Sequence, residues 1–476
     1  MLIFLTAHGL LADISLPKIF SDRMVLQHGT SVRVWGSADA NEELTITLGN
    51  KSAKTKANGN GDWDVAIQPP DIGGPYELGV EGKESKVVVS DVMVGEVWLC
   101  AGESNMHLSI RQSMEFETDE AADEFFNEII HPNLRLFTVP ASSTEEPAEE
   151  FSEAVTWQEC NGENLQQFSA LAYHFAIALR QNERLKDVPI GLIDCSWGGT
   201  PAEAWISNET LQGQEELKPL LDHWNENTDG QGPSQPASLF NGMIAPVAPM
   251  TIRGVLWYQG EANIGRGSQY GVLLPTLIQD WRKHFEIGDF PFYFVQLAPR
   301  RYENHDQRAL PEVWDSQLKS LSVPNTGMVG SSDIGNSEEL RPQNKQVIGQ
   351  RLATLALAET YGEVEMIFSG PVYESAEVGQ DGKSIEVQFL HAEGLKSEQP
   401  ELTGFMISNQ EGEFFPAEAK IEGDKVIVSS DEVQEPKFVR YLWQDSAVSG
   451  LTNAADLPAI PFRTDDLPLL SKDSHF

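Results

Sequence analysis

Apolar and polar positions alternate over much of the chain between about residue 14 and residue 91. Alternation with a period of two, rich in β-branched residues, is typical of strands that bury one face. The clearest runs are 31–36, 43–48 and 86–90, and a turn-forming cluster of Asn, Gly and Asp lies between them at 58–62. The pattern predicts an N-terminal antiparallel β-sandwich over residues 13–91.

Between about residues 92 and 362, apolar runs of strand length alternate with segments whose apolar residues recur at helical spacing. The strand candidates are 96–101, 189–195, 252–258, 290–298 and 326–333. The clearest helix candidates are 168–180 and 342–361, the second with a proline suited to a first helical turn. This alternation predicts an α/β core over residues 92–362, with a mostly parallel sheet and helices on both faces.

Strand patterns return after about residue 365, and they predict a C-terminal β module over residues 363–476. The runs are 384–389, 404–407, 425–429 and 438–443. Two acid-rich stretches, 115–124 and 145–153, interrupt the central pattern. We interpret both as solvated insertions in the core.

The first twelve residues, MLIFLTAHGLLA, form an apolar segment that ends in small residues. The segment is too short to span a membrane, which takes about 20 apolar residues in a helix. It resembles the end of a secretory signal. The signal would be truncated, because no Lys or Arg precedes the apolar run. We therefore expect a secreted or periplasmic protein.

The net charge of the chain excludes some classes of binding partner. The chain has 72 Asp and Glu residues against 33 Lys and Arg, for a net charge of −39. Such a chain repels phosphates, so we expect neither nucleic acid nor a membrane surface as partner, and an anionic substrate would need a local basic patch. Cys100, Cys160 and Cys195 have neither metal-ligand nor disulfide spacing and are interpreted as buried thiols. The sequence calls for no metal or organic cofactor.

The segment 102–106, Gly-Glu-Ser-Asn-Met, directly follows the apolar run 94–100. It predicts that Ser104 lies in a turn between a strand and a helix, where the hydroxyl is exposed and the helix N-terminus stabilises negative charge. Ser104 is therefore a candidate nucleophile, and its own N–H a candidate oxyanion donor. The alternative is a serine that only caps the helix.

Two further loops follow predicted strands and could supply donors to the same oxyanion. Gly198 and Gly199 leave room for a backbone N–H to approach a substrate, and Asn263 carries an amide donor. In open parallel sheets ligands bind beyond the carboxyl ends of the strands, where all three loops are expected. Taken singly, the glycines also fit an ordinary turn and the asparagine an ordinary loop.

Taken together and in this order, the three loops resemble the SGNH hydrolase superfamily, and within it the sialate O-acetylesterase family. The resemblance extends along most of the chain through the segments 24–27, 73–76, 94–98, 240–246, 292–299 and 457–463. It implies a flavodoxin-like three-layer α/β/α core and hydrolysis of O-acetyl esters on sialic acids or related sugars. It also implies Ser104 as nucleophile, with Ser104, Gly199 and Asn263 forming the oxyanion hole.

The chain departs from the family pattern at three places. Glu103 replaces a glutamine, which is expected to put a charge in place of a neutral amide beside the serine. Trp314 replaces an arginine of an Arg-Glu-Ala-Gln type segment, which removes a positive charge. Arg341 occupies the position of the catalytic histidine, with Glu339 in place of the aspartate that orients it. A guanidinium cannot accept the serine proton at neutral pH, so the triad is incomplete, and Glu339 is expected to pair with Arg341.

Other histidines are weak substitutes. His107 follows Ser104 by one helical turn and is expected to point away from the hydroxyl, whereas His305 lies in a polar loop. Three hypotheses stay open: an O-acetylesterase with an unidentified base, a silent relative that binds acetylated or acidic glycans with Arg341 on a carboxylate, and a scaffold. The sequence leaves the oligomeric state undetermined.

Overall fold

A computed structural model describes residues 13–114, 118–227, 232–335, 338–397, 399–410 and 412–474. The predicted signal segment 1–12 and part of the acid-rich stretch 115–124 lie outside these ranges. Within them, no helix has the length and apolar character needed to cross a membrane.

The N-terminal region is built from short strands, as the alternating pattern predicted. Its strands are β1 (Val25–Gln27), β2 (Val32–Ser37), β3 (Glu43–Leu48), β4 (Lys51–Lys56), β5 (Asp62–Ile67), β6 (Gly73–Glu81) and β7 (Lys86–Gly102). Pairing is antiparallel for β2 with β5 and for β6 with both β3 and β7, but β1 pairs with β7 in parallel. The expectation of a purely antiparallel region is therefore wrong at β1.

Strand β7 is 17 residues long and belongs to both the N-terminal sheet and the central sheet. Its first part pairs with β6, and its last part lies at the centre of the parallel core. The strand thus runs across the expected domain boundary at residues 91 and 92. Its carboxyl end carries the serine turn.

The central sheet has the order β13-β12-β11-β7-β10-β8-β9. Its remaining strands are β8 (Ile130–Thr138), β9 (Gln158–Asn161), β10 (Ile190–Ser196), β11 (Gly254–Tyr258), β12 (Phe292–Val295) and β13 (Thr326–Val329). Every neighbouring pair is parallel except β8 with β9. The five predicted core strands are all present, although β12 and β13 end before the predicted residues.

Helices cover both faces of this sheet. They are α1 (Ser104–His107), α2 (Ile110–Ser113), α3 (Asp119–Asn127), α4 (Gly162–Leu165), α5 (Ala170–Leu179), α6 (Asn208–Gly213), α7 (Lys218–Asn227), α8 (Gly267–Phe285), α9 (Ala309–Ser320) and α10 (Lys345–Glu359). Helix α10 packs along α5, and α9 along α8.

Two buried tryptophans show that these helix pairs lie on opposite faces. Trp98 on β7 packs on Phe175 of α5, with ring centroids 5.1 Å apart, and Trp257 on β11 packs on Trp281 of α8 at 5.6 Å. Trp257 stands beside Ala101 in the sheet, three residues after Trp98. Because side chains alternate along a strand, Trp98 and Trp257 point to opposite faces, which confirms the α/β architecture.

The region after residue 363 consists of strands, as expected. They are β14 (Val372–Val378), β15 (Ser384–Leu390), β16 (Lys396–Ser397), β17 (Phe405–Ser408), β18 (Phe414–Pro416), β19 (Glu418–Glu422), β20 (Lys425–Ser429), β21 (Phe438–Tyr441), β22 (Leu451–Thr452) and β23 (Phe462–Arg463). They form sheets of order β14-β15-β20-β19 and β18-β17-β21-β23, with a small β16-β22 pair.

Two further details bear on the sequence predictions. All three cysteines are buried free thiols, as expected, and burial raises the pKa of Cys160 to about 12. Helix α10 begins at Lys345, capped by the Asn344 side chain, so Pro342 lies before the helix and not in its first turn. The local reason is the cap, since a side chain that accepts the Val347 N–H fixes the helix start.

Candidate active site

The turn after β7 depends on a glycine. Gly102 has φ +138°, and a Cβ atom there would lie 2.1 Å from the carbonyl oxygen of Tyr258 on the neighbouring strand. The next residue, Glu103, donates its N–H to that same oxygen at 2.9 Å. Helix α1 then begins at Ser104, which is largely buried with 9% of the residue exposed, so the hydroxyl is less exposed than the sequence predicted. The predicted serine turn is therefore present at the carboxyl end of the central strand.

The ends of three parallel strands meet at this turn. Ser196 of β10 and Tyr258 of β11 both stand opposite Gly102 in the register. A Cβ atom at Gly198 would lie 3.5 Å from the Cβ atom of Ser104, so the glycine loop after β10 contacts the serine. Gly199 has φ +78°, and no described heavy atom lies within 4 Å of its Cβ position. The space beside Gly199 is therefore open, as approach of a substrate would require. The assignment of Gly199 to the oxyanion hole stays a prediction.

Asn263 lies in the loop after β11 and is fully buried. Its Oδ1 accepts the Ala202 N–H at 2.9 Å and the Gln259 Nε2 amide at 2.7 Å. Its Nδ2 donates to Glu203 at 3.0 Å, and Glu203 forms an ion pair with Arg266 at 2.7 Å. One of the two Asn263 amide hydrogens is thus held by Glu203. The predicted role of Asn263 in the oxyanion hole depends on the other amide hydrogen.

Glu103, the first departure from the family pattern, is buried under the loop after β11. Its Oε1 accepts the N–H groups of Gly260 and Ala262 at 3.0 and 3.1 Å. Burial and the neighbouring Glu261 carboxylate raise the pKa of Glu103 well above its usual value. A protonated carboxyl offers one acceptor oxygen and one O–H donor, as a glutamine amide offers one acceptor and a donor. In this form Glu103 replaces glutamine with little change in hydrogen bonding.

This explanation predicts the effect of Glu103→Gln. Because the pKa of Glu103 is raised in the folded state, its stabilising contribution is present at acid pH and is lost as the pH rises through the folded pKa. Glu103→Gln removes that loss, so we expect a free energy of unfolding at pH 8 higher by on the order of 1 kcal/mol, and little change near pH 4.5. Thermal or urea unfolding between pH 4.5 and 9 measures this. Glu84→Gln, at an exposed position, is the control, and a Glu103→Gln protein less stable than wild type at pH 8 would contradict the explanation.

The segment that carries Arg341 is anchored beside the serine. Asn105 Nδ2 donates to the Leu340 carbonyl oxygen at 3.1 Å, and Asn105 also donates to Glu261. Lys345 Nζ donates to the Pro342 carbonyl oxygen at 2.6 Å and to Asn105 Oδ1 at 2.7 Å. Residue 341 therefore lies between two anchored carbonyl groups, that of Leu340 bound by Asn105 and that of Pro342 bound by Lys345.

The side chains at the degenerate triad positions, Glu339 and Arg341, are both exposed. Arg341 makes no ion pair with a described carboxylate, so the expected pairing of these two residues is wrong. The backbone on either side of Arg341 lies beside Asn105 and Lys345, and the assignment of residue 341 to the histidine position stays a prediction.

Lys345 is a site residue that the sequence analysis missed. Its side chain is buried, and Nζ lies 5.6 Å from the centre of the Tyr258 ring. Burial lowers the pKa of Lys345 to about 7, while Glu261 raises it and Arg341 lowers it further. A lysine at the start of an amphipathic helix reads as a surface residue in the sequence, so no local pattern could have identified it.

His107, the first substitute histidine, is bound to the neighbouring strand. Its Nδ1 lies 3.3 Å from Ser196 Oγ, which donates to Asp194 Oδ1 at 2.6 Å. Asp194 is buried, and burial raises its pKa to about 6. The imidazole thus faces β10 through Nδ1. The Ser196 hydroxyl connects it to the Asp194 carboxylate.

His305 and Trp314 belong to the loop and the helix that follow β12. His305 is exposed and adjoins Gly265, where a Cβ atom would lie 2.7 Å from its Nδ1. Trp314 on α9 is fully buried and donates its Nε1–H to the Leu297 carbonyl oxygen at 2.7 Å. It serves as a packing residue under the loop after β12.

A parallel sheet with helices on both faces, with polar loops gathered at the carboxyl end of its central strand, is the architecture of an α/β hydrolase. Comparisons with known proteins specify it further. A family model for sialic acid-specific acetylesterases, a group of carbohydrate esterases, matches residues 94–358. Mouse sialate O-acetylesterase is 30% identical over 411 residues, which cover 75% of each chain. The human sialate O-acetylesterase is 30% identical over 393 residues, 76% of this chain and 73% of the human one.

A solved structure also matches this chain. A carbohydrate acetylesterase from Xanthomonas citri superimposes with a TM-score of 0.82 and 33% sequence identity. The match covers 95% of this chain and 100% of the Xanthomonas citri chain. The chain belongs to the sialic acid-specific acetylesterase family of carbohydrate esterases.

Proposed function

We propose that this protein hydrolyses O-acetyl esters on sialic acid or a related sugar, with Ser104 as the nucleophile. The observation that carries the proposal is the serine turn itself. Ser104 begins a helix at the carboxyl end of the central strand, in contact with the glycine loop after β10. Chains related to this one over three quarters of its length are sialate O-acetylesterases, which supports acetylated sugars as substrates.

In the proposed reaction, Ser104 Oγ attacks the acetyl carbonyl carbon while its proton passes to a base. The tetrahedral oxyanion accepts hydrogen bonds from the N–H groups of Ser104 and Gly199 and from Asn263. Collapse releases the sugar hydroxyl, which takes up the proton, and water then attacks the acetyl-serine to release acetate. No group at residue 341 takes the proton, because a guanidinium stays charged at neutral pH. Turnover is consequently slow compared with a complete triad.

The second candidate function is a silent relative that binds acetylated or acidic glycans in the same pocket. It is favoured by Arg341, which is exposed and makes no ion pair with a described carboxylate. A free guanidinium beside a sugar pocket suits a carboxylate ligand.

Acetate release by wild type and Ser104→Ala distinguishes the two functions. The substrates are an aryl acetate and O-acetylated sialic acid, and Ser52→Ala, at an exposed serine of β4, is the matched control. We expect Ser104→Ala to lose at least about tenfold in kcat/KM, since the acyl group then has no acceptor. Equal rates for wild type and Ser104→Ala would refute the esterase. Calorimetric binding of sialic acid to the same inactive protein would then establish the glycan binder.

A further inference from the structure

A polar cavity opens next to the serine site at the same edge of the central sheet. It has a volume of about 470 Å³, and the loop after β12 forms most of its wall. The lining includes Arg300, Arg301, Tyr302 and His305, with two carboxylates, Glu303 and Glu338. The proposed reaction does not use this cavity.

Three observations place the cavity close to the serine turn. Tyr302 has a pKa raised well above its usual value, by burial first and then by Glu261 and Glu103, so it lies near both active-site carboxylates. His305 lies against Gly265 in the loop that carries Asn263. The segment of Arg341 borders the same space through Glu338. The cavity therefore adjoins the place where the acetyl ester would lie.

The arginines around the cavity differ from the others in the chain. Among the described residues, Arg300, Arg301 and Arg341 make neither an ion pair nor a side-chain hydrogen bond. Each of the other arginines makes at least one. Exposure alone does not account for this, because the Arg184 side chain is 61% exposed and still pairs with Glu363. In a chain with 72 acidic residues, three guanidiniums without a described carboxylate partner thus lie at one edge of one sheet.

Arg300 is also held in place. Its N–H donates to the Asp445 carbonyl oxygen at 2.6 Å, and its guanidinium lies 5.3 Å from the centre of the Tyr302 ring. Its Nε is buried and has no hydrogen-bond partner among the described residues. A buried donor without a partner is costly, so the hydrogen bonds of the Arg300 guanidinium are incompletely satisfied by the described residues.

We propose that Arg300 and Arg301 form a subsite for the carboxylate of an acidic, acetylated sugar, so that the protein discriminates in favour of carboxylate-bearing substrates. The inference rests on the proposed function, since it places the sugar beside Ser104. Guanidinium groups bind carboxylates through paired charge-assisted hydrogen bonds. Glu303 and Glu338 in the wall balance the two arginines in charge, which suits a ligand with one carboxylate better than a polyanion.

The test compares O-acetylated sialic acid with its methyl ester, which keeps the acetyl group but has no negative charge. For wild type, kcat/KM is expected to favour the acid. In Arg300→Gln and Arg301→Gln that preference should fall about tenfold each, mainly through KM, as expected for lost charge-assisted contacts. Lys51→Gln, on exposed strand β4, makes the same change in net charge and should leave the preference unaltered. An unchanged preference in both arginine variants would overturn the subsite.

A binding measurement separates this proposal from the proposed function. Calorimetry with free sialic acid and with its methyl ester requires no turnover. If the protein releases no acetate but binds the acid in preference to the ester, and Arg301→Gln abolishes the preference, the subsite stands and the esterase fails. If acetate release depends on Ser104 while acid and ester bind equally, the esterase stands and the subsite fails.

Discussion

Replacing Arg341 by histidine is expected to raise kcat/KM for acetyl esters by roughly 10²- to 10⁴-fold, the usual contribution of a general base. The backbone around residue 341 is already placed, since Leu340 and Pro342 are tied to Asn105 and Lys345 on either side. An imidazole at this position has an acidic residue two places earlier, Glu339, as the family pattern requires. The measurement is acetate release from an aryl acetate by three proteins: wild type, Arg341→His, and the double variant that combines Ser104→Ala with Arg341→His.

Arg341→Gln is the matched control, because it removes the same charge without supplying a base. We expect no gain from Arg341→Gln, and a smaller gain from Arg341→His when Glu339→Gln is also present. A gain in Arg341→Gln equal to that in Arg341→His would show that the guanidinium obstructs the site. The absence of any gain from Arg341→His, in a protein that folds, would show that more than the base is missing.

Gly102→Ala is expected to lower the free energy of unfolding by about 3–5 kcal/mol and to abolish activity. The added Cβ atom would lie 2.1 Å from the Tyr258 carbonyl oxygen, within a sheet that cannot move apart without losing the pairing of β7 with β11. The positive φ of +138° adds backbone strain. Thermal unfolding and the soluble yield measure the effect.

Gly199→Ala separates strain from steric overlap. Gly199 also has a positive φ, +78°, but no described atom lies within 4 Å of its Cβ position. Its substitution is expected to cost only about 1–2 kcal/mol of stability, the usual strain of an alanine in the left-handed region. Similar losses for the two variants would mean that the overlap at Gly102 is relieved by small shifts, against our interpretation.

The order of strands and helices in the core could be predicted from the sequence because each element has its own apolar period. The strand at 189–195 and the helix at 168–180 appear within two residues of the predicted bounds, as β10 and α5. Pairing between distant strands could not be predicted, because it depends on contacts that no local pattern records. The parallel pairing of β1 with β7 and the sharing of β7 by two sheets are of this kind.

For the site, the sequence predicted the serine turn and the loops around it, since short motifs carry that information. It could not predict the electrostatic environment of those residues. Glu103 was expected to bring a negative charge beside the nucleophile, whereas burial and Glu261 favour its neutral form. Lys345 and the unpaired arginines of the loop after β12 became visible only through burial and the absence of partners among the described residues.

Strand β7 also bears on how the molecule unfolds. Its residues 86–102 connect two sheets through continuous backbone, so loss of the N-terminal pairing would loosen the strand that ends two residues before Ser104. The segment matched by the family model begins at residue 94, inside this strand. The hydrolase core and the N-terminal sheet thus share one strand, and we expect them to unfold together, so that the geometry at Ser104 depends on residues that precede the family segment.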